Sequence, residues 1–283
     1  MIFRGEAFAK TNLVLKVLGR REDGFHELET IFQTIDLTDE IEVSDGPSGI
    51  ELECTDPAVP SDARNLAHRA AVLLREHSEV SAGARIRLVK RIPAGGGLGG
   101  GSSDAATVLV LLCRLWSLRP ALASLVEIGS ALGSDVPFFF AGGTARGRGR
   151  GEIVEPMADV SSQNLILAVP PFSISTAEVF AHWRPMPTSR GGAVFGANEL
   201  ASAVLETYPE MVRFLEVMSR YYPDCQISGS GASLIAAEDD PDPERLSALR
   251  AELPDARILR TRTVSRSEYQ RRSTVESAFF QRR

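Results

Sequence analysis

Six glycines fill the seven positions from Gly95 to Gly101, broken only by Leu98, and the run passes through Ser102-Ser103-Asp104 straight into an apolar helical stretch that ends at Trp116. Lacking a Cβ, such residues can turn their backbone N–H groups toward one point. The start of the helix adds N–H groups that the helix itself leaves unpaired, and the positive end of its dipole. Together these make a site for an anion, phosphate above all. A flexible spacer uses the same residues, but a spacer does not lead without a break into a helix that is apolar almost all round and therefore buried.

Two familiar phosphate loops do not fit. A Walker loop needs Lys and then Ser or Thr after its last glycine, and Gly101 is followed by Ser102. Gly95, Gly97 and Gly100 satisfy the dinucleotide spacing G-x-G-x-x-G, as any polyglycine run does. That fold also wants an acid ~20 residues further on, at the end of a second strand. Here the helix runs into Arg119-Pro120, and no acid precedes Glu127 after it.

The chain has 283 residues, enough for one large domain or two ordinary ones. With 43% hydrophobic and 24% charged residues it can bury a core without staples, which excludes disorder as the dominant state. The formal net charge of −6 argues against a chain whose main task is to coat nucleic acid. Cys54, Cys113 and Cys225 are an odd number at wide spacing, so neither a disulfide framework nor a zinc finger is expected. Neither a membrane span nor a signal peptide is expected, and a cytoplasmic location is.

Alternation of polar and apolar residues predicts strands through the first ~55 residues, at Glu27–Phe32, Glu40–Val43 and Ile50–Cys54 among others. Leu66, Ala70, Leu73, Leu74 and His77 share one face of a helix capped by Ser61 or Asp62. Arg85 to Val89 alternates again before the glycine run. Residues 156 to 164 read as a linker into a second half. That half carries a strand at Leu165–Val169, a loop around Pro185 to Gly196, and a helix from Asn198 interrupted at Pro209. A strand–turn–strand at Gln226–Ala236, a helix near Glu244–Leu253 and a strand at Arg257–Val264 follow. The expectation is α+β, with domains at 1–155 and 156–283. From Arg257 onward eight arginines face Glu268 and Glu276, which reads as a solvated basic terminus or, less simply, as a contact for phosphate or nucleic acid.

Taken alone, several polar residues have ordinary explanations. Asp135 in Gly-Ser-Asp-Val-Pro can cap a helix whose first turn holds Pro137. Lys10 can be a strand lysine that snorkels to water. His26 suits a strand end, Phe180 suits a core, and Gly229 with Gly231 suits a tight hairpin.

The wording Gly-Gly-Gly-Leu-Gly-Gly-Gly-Ser-Ser-Asp-Ala-Ala after Pro93-Ala94 resembles the ATP-phosphate loop of the superfamily of galactokinase, homoserine kinase, mevalonate kinase and phosphomevalonate kinase. Within it, the segment is most similar to the branch that phosphorylates 4-diphosphocytidyl-2-C-methyl-D-erythritol. Ala9-Lys10-Thr11-Asn12-Leu13, the stretch from Gly19 to Leu28, Gly133-Ser134-Asp135-Val136-Pro137-Phe138-Phe139, Ser228-Gly229-Ser230-Gly231-Ala232 and Arg262-Thr263-Val264-Ser265-Arg266 agree in the same order. The resemblance covers nearly the whole chain. It implies a two-domain small-molecule kinase with its active site in the cleft between the halves, using ATP and Mg²⁺, with 4-diphosphocytidyl-2-C-methyl-D-erythritol as the partner and neither nucleic acid nor membrane involved. A sibling kinase for homoserine or mevalonate, or a nucleotide-binding module without catalysis, are the rival readings.

The resemblance also implies roles. Asp135 becomes the general base and Lys10 its electrostatic partner. Asn65, Leu66, Pro93, Gly95, Gly96, Gly97, Leu98, Gly99, Gly100, Gly101, Ser102 and Ser103 border ATP, the two serines with hydroxyls for phosphate or Mg²⁺. Asn12, Phe25, His26, Thr176, Phe180, Gly229 and Gly231 take the acceptor, with cytosine between Phe25 and Phe180 and its edge read by His26. The family usually has Pro where Phe8 stands, an aliphatic residue where Thr11 stands and Tyr where Phe25 stands; the last change keeps an aromatic face and loses a hydroxyl.

Overall fold

A computed structural model of the chain describes residues 1–185 and 195–273. It opens with a long antiparallel hairpin of β1 (Ile2–Arg20) and β2 (His26–Gly46). The two alternating segments expected as separate strands are parts of this single β2. Asp36 and Leu37 bulge from it where Phe8 pairs with Thr38 and Ala9 with Ile35. Then come β3 (Ile50–Cys54), α1 (Leu66–His77), β4 (Gly83–Val89), α2 (Gly100–Leu115), α3 (Leu122–Leu132), α4 (Phe138–Ala141), β5 (Thr144–Gly149) and β6 (Ile153–Pro156). The first sheet has the order β3-β4-β2-β5-β6, with β1 on the other edge of β2. Only the β3–β4 pair is parallel.

The second half contains β7 (Asn164–Val169), α5 (Thr176–His182), α6 (Ala201–Thr207), α7 (Glu210–Tyr221), β8 (Gln226–Ile227), β9 (Leu234–Ala237), α8 (Pro243–Glu252), β10 (Arg257–Arg262) and α9 (Arg266–Ser273). Its sheet, β10-β7-β9-β8, is antiparallel throughout. Most of the loop expected around Pro185 to Gly196 lies outside the described residues.

Three apolar clusters hold these layers. In the first, α2 is buried at every position from Ser103 to Cys113 and packs with α1 and α3 against the first sheet. That accords with its all-round apolar sequence. The second joins β7, β8 and β9 to α5, α6, α7 and α8, and takes in Leu15, Val17 and Leu28 from the far end of the hairpin. The third lies between, where Ala9, Leu13 and Ile35 meet Leu165, Leu167 and Ile235. Leu98, the one side chain in the glycine run, is 1% exposed and packs in this third cluster.

Two expectations are corrected. The cap of α1 is Asn65, whose side chain accepts from Ala67 N at 2.9 Å; Asp62 accepts instead from Arg64 N at 3.0 Å, one turn too early. The arginines near the end of the described chain are not simply solvated. Arg272 pairs with Glu6, Asp36 and Glu268 and lies 4.7 Å above the Phe8 ring, while Arg262 pairs with Asp36 and Glu268. Val264 and Tyr269 belong to the first cluster, so α9 closes the N-terminal layer from the other end of the sequence.

Beneath the glycine run, Lys90 Nζ contacts both Asp39 and Asp104, the latter at 2.8 Å, and all three side chains are at most 5% exposed. Burial works against the Lys90 ammonium, yet the attraction of Asp104 and Asp39 raises its pKa overall. One cation cannot balance two carboxylates in so dry a place. Burial pushes Asp104 up to about 8. The folded chain therefore holds a proton that the unfolded chain releases above about pH 4, and stability declines as pH rises from there to about 8. Asp104→Asn, neutral at every pH, is expected to match the parent's melting temperature near pH ~5 and to exceed it above pH ~8. Parallel melting-temperature curves against pH would contradict this account.

Candidate active site

The glycine run folds back on a second glycine turn. Gly97 has φ +71°, and a Cβ there would sit 2.4 Å from the carbonyl oxygen of Ser228 and 2.6 Å from that of Gly231. The two turns pack backbone against backbone. Gly99, with φ +70°, is the N-cap of α2, and a Cβ on it would lie 2.9 Å from Lys10 Cγ and 3.0 Å from Phe139 Cζ. Only glycine lets the helix start this close to the lysine.

The lysine itself comes from β1, whose backbone at Lys10 donates to Leu98 O at 2.9 Å. Its side chain is 6% exposed, and Nζ lies 3.2 Å from Asp135 Oδ2, donates to Asn12 Oδ1 at 2.8 Å and sits 5.6 Å from the Phe32 ring centre. Asp135 does not cap α4. The residue at that position is Pro137, with no side-chain cap, and the carboxylate turns instead toward Lys10, 31% exposed. A buried ammonium facing a half-open carboxylate can neutralise a phosphoryl group on one side and accept a proton on the other. Gly229 closes the corner: a Cβ there would be 3.1 Å from Asn12 Oδ1 and 3.5 Å from Lys10 Nζ. Asn198 holds that turn through Nδ2 bonds to Ile227 O and Gly229 O, both 2.8 Å.

Two cavities meet here. The larger, about 900 Å³, runs from Lys10, Asn12 and Asp135 past Thr176 to Phe25, His26 and Phe180. The smaller, about 460 Å³, is bordered by Asn65, Leu66, Pro93 and the whole run from Gly95 to Ser102. Gly97, Gly99, Ser102 and Thr176 line both. Thr176 Oγ1 is 2.7 Å from Ser230 Oγ across the junction. Ser103 and Gly231 line neither. Ser103 is fully buried on the core side of α2, and Gly231 packs its backbone against Gly97. Asn65 spends its side chain on the α1 cap and on Pro60 O, at 2.7 Å.

At the far end of the larger cavity the aromatic arrangement differs from a Phe25–Phe180 pair. His26 stacks on Phe180, with ring centres 5.1 Å apart and planes at 26°, and Trp183 meets the His26 edge at 5.6 Å. Phe25 is 52% exposed, with the Arg150 guanidinium 4.8 Å over its ring. Burial, helped by the Arg20 charge, holds the His26 pKa below its ordinary value, so the ring is neutral near pH 7 and offers one donor and one acceptor. Trp183, Arg20 and Arg150 also line this cavity, and sequence reading missed them. Trp183 lies three residues after Phe180, a spacing that puts them on neighbouring turns; the alternating Arg-Gly repeat at 146–150 was the signal for Arg150.

Two of the unusual residues form specific contacts. Phe8 packs edge-on to Tyr269 at 5.2 Å, and Thr11 Oγ1 lies 3.1 Å from Ser228 Oγ, tying β1 to the second glycine turn.

The glycines are not equivalent as probes. A Cβ on Gly100 would meet Ile92 at 2.9 Å and Lys90 Nζ at 3.3 Å, so a side chain there disturbs the buried Lys90 cluster. On Gly101 a Cβ meets only Leu66 Cδ1, at 3.7 Å, beside the smaller cavity. Gly101→Val is expected to keep the melting temperature within a few degrees and to raise the KM for ATP about tenfold or more, with the acceptor KM little changed. Unchanged ATP kinetics would mean that the smaller cavity does not take the nucleotide.

Comparison with known proteins fits this geometry. Residues 65–143 match the GHMP kinases N terminal domain, a span that contains the glycine run, α2 and Asp135. A 4-diphosphocytidyl-2-C-methyl-D-erythritol kinase from Pelotomaculum thermopropionicum is 39% identical over 93% of this chain and 98% of its own. One from Geobacillus thermodenitrificans is 40% identical over 81% of this chain and 86% of its own. Among solved structures, a 4-(cytidine 5'-diphospho)-2C-methyl-D-erythritol kinase superposes with a TM-score of 0.79 at 33% identity, covering 92% of this chain and 99% of that one. A mevalonate kinase, at 14% identity and a TM-score of 0.65, shares the fold. Identity of this level over nearly the full length of both sequences, on the same fold, means that the chain belongs to the 4-diphosphocytidyl-2-C-methyl-D-erythritol kinase family of the GHMP kinases.

Proposed function

We infer that the protein transfers the γ-phosphoryl group of ATP to the 2-hydroxyl of 4-diphosphocytidyl-2-C-methyl-D-erythritol, a step in isoprenoid precursor biosynthesis. The observation that carries this reading is the meeting of the two cavities at Gly97, Gly99, Ser102 and Thr176, beside the Lys10–Asp135 pair. ATP occupies the smaller cavity with its phosphates over the start of α2, where backbone N–H groups and the helix dipole receive them. The acceptor occupies the larger one, its base end among His26, Phe180 and Phe25 and its hydroxyl end at Asp135. Phosphoryl transfer asks mainly for alignment and charge neutralisation, which a backbone cradle and one lysine supply. Asp135 takes the proton of the attacking hydroxyl, and Lys10 offsets charge on the group in transit.

Mg²⁺ fits this donor set as a companion of the nucleotide. Among the described residues no cluster of three or more His, Cys, Asp or Glu side chains is placed to hold a metal ion, whereas Ser102 borders both cavities and Asp135 the larger. Mg²⁺ commonly takes one or two protein oxygens, substrate phosphates and water. Ser102 would hold it through its hydroxyl, and bound there it would neutralise phosphate charge. We read the chain as two domains, 1–155 and 156–283, that exchange the hairpin tip and α9, and as cytoplasmic. No helix among the described residues is long and apolar enough to cross a membrane.

ATP turnover against the cytidylyl acceptor, homoserine and mevalonate in parallel tests the assignment. Turnover with the cytidylyl acceptor alone is expected. Preference for either other acceptor would move the protein to a sibling activity, and no turnover with any of them would make it a binding module. Because Asp135 does not cap α4, Asp135→Asn is expected to keep the melting temperature and ATP affinity while kcat falls roughly 10²-fold or more. Retained single-turnover rate in that variant would remove the general-base role.

A further inference from the structure

Lys10 points at Asp135 because Asn12 receives one of its protons, and the orientation of Asn12 has its own cause. Asn12 Nδ2 donates to Thr30 Oγ1 at 2.7 Å, and the Thr30 hydroxyl donates to Val14 O at 2.6 Å. A carbonyl only accepts, so the hydroxyl proton of Thr30 is committed to Val14 and its free lone pairs face Asn12. The Asn12 amide must then turn its NH₂ toward Thr30 and its oxygen toward Lys10 Nζ, 2.8 Å away. Reversed, the amide would set an NH₂ donor against an ammonium and a carbonyl against a lone pair. The polarity of the whole row therefore starts at one main-chain oxygen.

The backbone around Val14 is built for this. The β1–β2 register shifts between Asn12, opposite Phe32, and Val14, opposite Ile31, which leaves Leu13 as the extra residue of a bulge. Such bulges re-aim side chains beside active sites. Thr30 and Asn12 are 1% and 4% exposed, so although both border the larger cavity little of either side chain meets water. A second strand thus sets the lysine through Asn12, the bonds of the Thr30 hydroxyl being to Asn12 and Val14 and not to Asp135.

We propose that Thr30 is a positioning residue for phosphoryl transfer: its hydroxyl locks the Asn12 amide in the one orientation that holds Lys10 Nζ against Asp135. The proposal rests on the reading of Lys10 and Asp135 as the groups that serve the transfer. It separates the hydroxyl of Thr30 from its bulk. Thr30→Val keeps the shape and removes the donor, whereas Thr30→Ser keeps the donor and removes a methyl group.

The test is steady-state and single-turnover kinetics on the parent, Thr30→Val, Thr30→Ser, Asn12→Ala and the double variant Thr30→Val/Asn12→Ala, with melting temperature as the check on folding. In Thr30→Val kcat is expected to fall about 10- to 100-fold, the scale of a misplaced reacting group, while the KM values for ATP and acceptor change less than about twofold. Thr30→Ser should recover the rate to within a few-fold. The double variant should turn over no more slowly than Asn12→Ala alone, since Thr30 acts through Asn12. Equal losses in Thr30→Val and Thr30→Ser, multiplicative losses in the double variant, or an unchanged rate in Thr30→Val would each overturn the proposal. A parent enzyme with no kinase activity would instead overturn the functional reading on which it rests.

Discussion

The bond from Lys10 N to Leu98 O is the contact on which the site depends. Leu98 is buried in the cluster between the two sheets, so the glycine run is pinned at its middle rather than left to wander. On one side of that pin Gly97 packs on the second glycine turn, and on the other Gly99 starts α2 beside Lys10. A loop of glycines alone would lose much entropy on closing around a phosphate. One leucine gives it a fixed centre, and the main chain of β1 fixes the lysine to the same centre.

The partition of the cores extends that constraint. Leu15, Val17 and Leu28 carry the hairpin tip into the second layer, while Val264 and Tyr269 return to the first. Each half therefore finishes the other's core, and the larger cavity is walled by both. Lys10 and His26 reach it from the hairpin, Asp135 from the residues before α4, and Phe180 and Gly229 from the second half.

How far the site could be read ahead of the structure depends on how local each signal is. The glycine run and the buried helix after it follow from nearest-neighbour chemistry and appear where the sequence puts them, and the alternating segments are strands too, though two of them run together in β2. Asp135 has no local signal beyond a cap motif, and only the resemblance set it against Lys10; the structure places the two 3.2 Å apart. Ser103 reads like its neighbour Ser102, yet helical rotation turns one hydroxyl into the core and the other to both cavities. The stacking of His26 on Phe180, the Lys90–Asp39–Asp104 cluster and the Thr30–Asn12 bond join residues separated by up to 154 positions of chain or depend on a bulge, so no window of sequence reveals them.

The Arg272 pairs with Glu6 and Asp36 also join parts of the chain that are made far apart in time. Arg272 follows Glu6 by 266 positions of chain. At about 5–20 residues per second, the strand that carries Lys10 waits roughly 13 to 53 seconds for the helix that covers Phe8. Until then the Phe8 ring lacks Tyr269 and Arg272, and Glu6 lacks its arginine partner. An apolar ring left uncovered for that long is open to non-native contacts. The arginine staple thus makes closure of the first layer over Phe8 wait for α9, long after the strand it covers has been made.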